Sequence, residues 1–180
     1  MSQVKKTIII LNGSGGCGKD TFVSYLSQLV SVHKTSSVDS IKKIASQIAW
    51  DGNKDEKGRK LLSELKSALV QYNDFCLVES IKLVEDFIKS DKQVFVIDIR
   101  EPQEIQKFYD KVLQLYHNNV TIYKVLVVRQ AVKHITSNIS DNSVYDLNYD
   151  CVIDNNGTLS DLEDSAMTFY TFFVKERIEC

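Results

Sequence analysis

The chain of 180 residues has one proline, no pair of cysteines in a Cys-x-x-Cys spacing, no apolar run longer than a strand, and no excess of charge of one sign. Each scarcity excludes something. The lone Pro102, with no Pro- or Ser-rich linker, internal repeat or low-complexity tract, leaves one folding unit over 1–180. The four cysteines (Cys17, Cys76, Cys151 and Cys180) have no flanking histidine cluster. They read as reduced cytosolic thiols rather than a zinc site or a disulfide frame, so the protein is expected in the cytoplasm. The sequon-like triplets at Asn12, Asn138 and Asn156 then carry no meaning, because glycosylation requires secretion. The apolar segments are too short for a membrane span, and the N-terminus leads straight into one of them, which argues against a signal peptide. A net charge of −2 gives no basic field to attract a nucleic acid polymer or an anionic membrane. Oligomeric state is not legible.

What is present is an alternation of strand-like and helix-like segments. Thr7–Leu11 is β-branched and continuously apolar, as a strand buried on both faces should be. Lys34–Val38 is a weaker strand, Val94–Ile99 the clearest central one, Thr121–Val128 a fourth and Cys151–Ile153 a short fifth. Helical spacing joins Phe22, Leu26, Leu29 and Val30; Ile41, Ile44, Ala45, Ile48 and Ala49; Leu62, Leu65, Leu69 and Tyr72; and Val78, Ile81, Val84 and Ile88. It recurs in Ile105, Phe108, Val112 and Leu115, and in Leu162, Ala166, Phe169 and Phe173. This order predicts an α/β fold, a five-stranded parallel sheet with helices on both faces, whose site lies at the carboxyl ends of the strands.

Directly after the first strand comes Gly13-Ser14-Gly15-Gly16-Cys17-Gly18-Lys19-Asp20-Thr21. The GxxxxGK spacing is that of a Walker A loop: glycines let successive backbone N–H groups face one anion, and the following helix adds its positive end. Lys19 supplies a full charge for the β- and γ-phosphates of ATP. The next position, normally a serine or threonine whose hydroxyl ligates magnesium, is Asp20. Two roles stay open: Asp20 holds Mg2+ directly or through water, or Thr21 gives a hydroxyl to the phosphates. Cys17 reads as a bystander packed in the turn rather than a reactive thiol.

Val94–Asp98 is an apolar strand ending in an acid, in the manner of a Walker B strand, so Asp98 is a second candidate for the metal or its waters. Of the 22 basic residues only four are arginine: Arg59, Arg100, Arg129 and Arg177. A guanidinium offers phosphate the planar fork that an ammonium lacks. Arg59, Arg100 and Arg129 fall where phosphate would lie, whereas Arg177 reads as surface. Residues 129–149, polar and rich in Asn, Ser and Asp, suit a closing lid, with His134 on its surface. After the last strand, Asp154-Asn155-Asn156-Gly157-Thr158 forms a turn that either approaches a nucleobase, through Asn155 and Gly157, or only caps the next helix.

GSGGCGKDTF, VDSIKKIA, DEKGRKLL, VIDIREPQEI and YDCVIDNNGTLSDL, in that order, resemble the deoxynucleoside monophosphate kinases of bacteriophages and their bacterial relatives. That group is adenylate-kinase-like among the P-loop kinases. The resemblance spans nearly the whole chain and includes the Lys-Asp-Thr variant of the cradle. It implies a P-loop NTPase fold with an acceptor-binding segment over about 39–90 and a lid over about 129–149. It further implies that Lys19 and Thr21 contact ATP phosphates, and that Arg59, Arg100, Asp39 and Lys42 face the acceptor monophosphate. Two departures stand out: Glu101 and Gln103-Glu104 replace the aromatic and Asn-Glu of the family's DxRxPNE pattern, and the lid is poor in arginine.

The expected activity is ATP- and magnesium-dependent phosphoryl transfer to a (deoxy)nucleoside monophosphate, with Lys19, Arg100, Arg129 and Asp98 as the catalytic set. Alternatives are a kinase for another small phosphorylated metabolite, of the phosphomevalonate or dephospho-coenzyme A kinase kind, and a nucleotide-binding module without turnover. A GTPase switch is disfavoured, since Asn53-Lys54-Asp55-Glu56 lacks the final aspartate of the guanine-reading pattern.

Overall fold

Five strands, β1 (Lys6–Asn12), β2 (Val32–Ser36), β3 (Val94–Asp98), β4 (Val120–Val128) and β5 (Cys151–Asp154), all run parallel in the order β2-β3-β1-β4-β5. They belong to a computed structural model that describes residues 5–130 and 147–175. Six helices are described: α1 (Lys19–Leu29), α2 (Asp39–Gln47), α3 (Glu56–Asn73), α4 (Phe75–Lys89), α5 (Pro102–Tyr116) and α6 (Leu159–Phe169), the last running on into π-type turns over Tyr170–Lys175.

Side-chain alternation along the strands builds two cores. Ile9, Leu11, Val94, Val96, Val125 and Val127 face α1 and α6, where Phe22, Leu26, Leu162 and Phe169 meet them. Ile8, Ile10, Phe95, Ile97 and Ile122 face the other way, against Val84 and Phe87 of α4 and Ile105, Phe108 and Val112 of α5. A strand covered on both faces needs apolar residues at every position, and Ile8–Leu11 are all fully buried. α2 and α3 lie outside this sandwich: α3 packs on α2 and α4. Hence its stripe is only partly covered, and Tyr72 stands 83 % exposed.

The middle of the sheet positions the site. β1 and β3 are paired with Leu11 opposite Asp98, so the glycine loop and the acidic strand end leave the sheet side by side. The chain leaves β1 toward β2 and leaves β3 toward β4 in the opposite direction, so the crevice an open parallel sheet offers to ligands lies between β1 and β3. Pro102 is in the first turn of α5, where a missing N–H costs nothing. Most of the expected lid, His134, Arg177 and Cys180 lie outside the described residues.

Candidate active site

The loop from Gly13 to Gly18 wraps around an anion-sized hollow because its backbone takes values that side chains resist. Gly13 and Gly18 have φ of 140° and 103°. A Cβ at Gly13 would strike the Val127 carbonyl, and one at Gly18 would strike the Asn155 amide. α1 then starts with no side-chain cap, leaving the first-turn N–H groups of Lys19, Asp20 and Thr21 turned to the hollow. Lys19 Nζ folds back and donates to the Gly13 carbonyl at 2.6 Å and the Ser14 carbonyl at 3.0 Å. It also lies 3.8 Å from Cys17 Sγ. An ammonium held by loop carbonyls and a thiol, with no carboxylate partner among the described residues, is free to exchange them for phosphate oxygens. Cys17 is buried at 1 % exposure, and burial pushes its thiol up against the opposing pull of Lys19, so it is packing rather than a nucleophile.

A cavity of about 300 Å³ opens over this loop, lined by Gly16, Gly18, Lys19, Asp20 and Thr21 on one side. Arg129, Asn155, Gly157, Thr158, Leu159 and Leu162 line the other. The structure thus brings Arg129 to the cradle side and puts Asn155 and Gly157 in the same wall. Asn155 also supports the loop. Its side-chain amide donates to the Cys17 carbonyl at 2.8 Å, and its own N–H donates to the Val128 carbonyl at 2.8 Å. It is buried and staples the loop to the ends of β4 and β5. Leu159, 66 % exposed, is an apolar side chain on the cavity wall that sequence reading passed over. Its position one residue after the helix cap was the available signal.

The acidic end of β3 is the second half. Asp98 is mostly buried, and its Oδ1 has no hydrogen-bond partner. Burial pushes its carboxyl up, Lys34 and Lys19 pull it down, and Asp20 and Asp39 push it up again. A buried carboxylate oxygen without a donor suits a cation better than it suits the empty protein. Asp20 is ion-paired to Lys34, whose hydrogen bond and charge hold the Asp20 carboxyl below its usual range. No group of three His, Cys, Asp or Glu side chains able to hold a metal occurs among the described residues.

Two contributors were missed in the sequence. Lys34 lies in the weak strand and faces both acids. Asn12, dismissed as part of a sequon, is 1 % exposed. Its Oδ1 accepts from the Gly13 N–H at 2.7 Å, and its Nδ2 donates to the Arg100 carbonyl at 3.2 Å and to Tyr149 Oη at 2.8 Å. A polar residue ending a wholly apolar strand was the sign.

Of the residues expected around the acceptor, Asp39 and Lys42 lie on α2 just past β2 and Arg100 just past β3, whereas Arg59 lies on α3. Asp39 opens α2, accepts from the Ser36 N–H at 2.8 Å, and pairs with Lys42 at 2.7 Å. Arg59 is in the first turn of α3, its Nε held by the Lys54 carbonyl at 2.8 Å, and Arg100 is exposed at the end of β3. Beside Arg100, Lys66 of α3 bridges Glu101 at 2.8 Å and Glu104 at 3.0 Å. Burial and the Glu101 charge push Glu104 up to about 7, against the pull of Lys66. Burial works the same way on Glu101, but Lys66 and the Glu104 hydrogen bond outweigh it and hold Glu101 low.

No family model matches the chain, and no curated protein matches it. Solved structures do. TT1252 from Thermus thermophilus aligns with a TM-score of 0.53 at 15 % identity, over 94 % of this chain and 98 % of that one. A sugar kinase from Janibacter sp. HTCC2649 aligns at 0.50 and 12 % identity, over 94 % and 96 %. A shikimate kinase from Aquifex aeolicus gives 0.45 at 12 % identity, over 91 % and 96 %. The all-parallel sheet with the glycine loop after its central strand is the fold of the P-loop kinases. At such identities the likeness is one of fold.

Proposed function

We propose that the chain is an ATP- and magnesium-dependent phosphotransferase whose acceptor is a small phosphorylated metabolite, specifically a (deoxy)nucleoside monophosphate. The observation that carries the reading is the uncapped, glycine-lined start of α1, with Lys19 resting on loop carbonyls beside the unpaired Asp98 oxygen. The triphosphate lies along the loop and is held by the first-turn N–H groups, Lys19 and Thr21. Its base fits the end of the cavity walled by Arg129, Asn155, Gly157 and Leu159. Asp20 and Asp98 are the residues that would hold magnesium, which when bound draws off the charge of the phosphate oxygens. The acceptor approaches from the α2–α4 side, its monophosphate taken by Arg59 and Arg100 with Asp39 and Lys42 at the rim.

Transfer of a phosphoryl group through a loose transition state asks for alignment and charge neutralisation more than for a base. Lys19 and Arg129 face the cavity that would hold the moving group, and Arg100 belongs to the other side. Asn12 and Asn155 keep the loop rigid, so the N–H groups need no rearrangement when charge develops.

The test is coupled ADP release with ATP, magnesium and a panel of deoxynucleoside and nucleoside monophosphates, beside phosphomevalonate, dephospho-coenzyme A and simple sugars. Release that depends on a monophosphate supports the reading. Release with another acceptor alone reassigns the substrate, and nucleotide binding without release under every condition makes the chain a binding module.

A further inference from the structure

β2 is an edge strand, and its side chains alternate. His33 stacks on Phe95, ring centroids 5.4 Å apart, on the sheet face covered by α4 and α5. Lys34 must therefore leave by the opposite face, toward α1. Parallel pairing puts it opposite Val96, with Asp98 two residues further along the same face. There its Nζ meets Asp20 Oδ1 from the first turn of α1, and its charge acts on Asp98 as well. The Lys34 side chain is 29 % exposed and that of Asp20 is 93 % exposed, so the lysine reaches out along the sheet to the acid. Lys19, the other nearby ammonium, is turned to the loop carbonyls.

Of the cations that act on the two carboxylates proposed to hold magnesium, Lys34 is the one in direct contact with Asp20, while Lys19 acts on both from the loop. We infer that Lys34 is a built-in counter-ion of the metal site, which occupies Asp20 while the site is empty and yields that carboxylate when magnesium enters with the nucleotide. This rests on the phosphotransferase reading above. A divalent ion at Asp20 takes the oxygen that Lys34 now uses and repels the ammonium. The flexible four-carbon stem lets Lys34 withdraw without moving the strand. Lysine and metal therefore compete.

The test is a titration with Mn2+ as spin probe, read by electron paramagnetic resonance, on protein saturated with a non-hydrolysable ATP analogue and on protein without it. Lys34→Met removes the competitor and is expected to bind Mn2+ about two- to five-fold more tightly than wild type in the presence of the analogue, the range set by an ion pair with one exposed partner. Lys34→Arg should stay near wild type. In an Asp20→Asn background the gain from Lys34→Met should vanish. Should Lys34→Met fold poorly, Lys34→Gln carries the same expectation, and circular dichroism establishes which variants are folded. Unchanged or weaker Mn2+ binding in the uncharged variants, with nucleotide-dependent binding intact in wild type, overturns the role of Lys34 alone. A wild type that binds Mn2+ no better with the analogue than without it overturns both this inference and the phosphotransferase reading.

Discussion

At the scale of single residues, the site is marked by groups whose partners do not suffice. Asp98 has a buried oxygen with no donor, and burial pushes its carboxyl up, so its charged form is less well satisfied in the folded, ligand-free protein than in the unfolded chain. A carboxyl raised on folding contributes stability below its unfolded value and loses that contribution as pH rises through the folded one. At neutral pH, Asp98→Asn is therefore expected to raise the stability of the empty protein, by about 1 kcal/mol. The same change should cut turnover by at least ten-fold. Thermal melts beside activity assays check both, and a destabilised Asp98→Asn would show that the charge is satisfied in the fold. The arginines make the complementary test. Arg59→Lys and Arg100→Lys keep charge and lose the planar fork, so each should weaken the acceptor by about 1.5–3 kcal/mol, roughly ten- to hundred-fold, and leave ATP binding alone. Michaelis constants for both substrates decide this; weakened ATP with an unchanged acceptor would mean that the two sides of the site are exchanged.

At the scale of elements, two sets of contacts tie neighbouring elements together around the candidate site. Asn155 ties the glycine loop to the sheet, so Asn155→Ala should cost about 1–3 kcal/mol of stability by leaving the Cys17 carbonyl without its donor. ATP affinity should fall with it, and calorimetry with nucleotide titration reads the pair. Lys66, Glu101 and Glu104 join α3 to the start of α5. Glu104 is raised to about 7 from an ordinary value near 4.5. Its contribution is thus complete below about pH 4.5 and lost as pH rises through about 7. Glu101, held low, works in the opposite sense and only in acid. Between pH 6 and pH 8 wild-type stability should therefore decline more than that of Glu104→Gln, as measured by denaturant melts across that range. Equal slopes would exclude titration of Glu104 there.

The five strands and six helices of the described residues were legible, most of them by a continuous or periodic apolar pattern that needs no partner to be recognised; β2, at Val32–Ser36, lies two residues before the Lys34–Val38 expected, because its VHKTS sequence carries no such pattern. α3 was legible as a helix but not in its packing: its stripe meets only other helices, and Tyr72 is left in solvent. Glycines and Lys19 were legible because the loop is local. Lys34, Asn12 and the Lys66 triad were not, since their partners lie 14, 88 and 38 residues away and no local pattern encodes such pairing.

At the scale of the whole molecule, the sheet divides the work. One side of the β1–β3 crevice presents the cradle and the cavity under Arg129 and Leu159, while the other carries α2, α3 and the arginines. The fold is shared at 15 % identity or less with TT1252 and the Janibacter sugar kinase, so fold alone does not name the acceptor. What the fold does require of a phosphotransferase is that the loop lysine act on the transferred group. The most direct measurement is the turnover of Lys19→Ala beside wild type, with ATP, magnesium and the best acceptor of the panel all saturating, on protein shown by circular dichroism to melt as wild type does. The account predicts a fall of about 10²–10³-fold, the loss of about 2.7–4 kcal/mol of transition-state stabilisation. Near-normal turnover in that variant would contradict it.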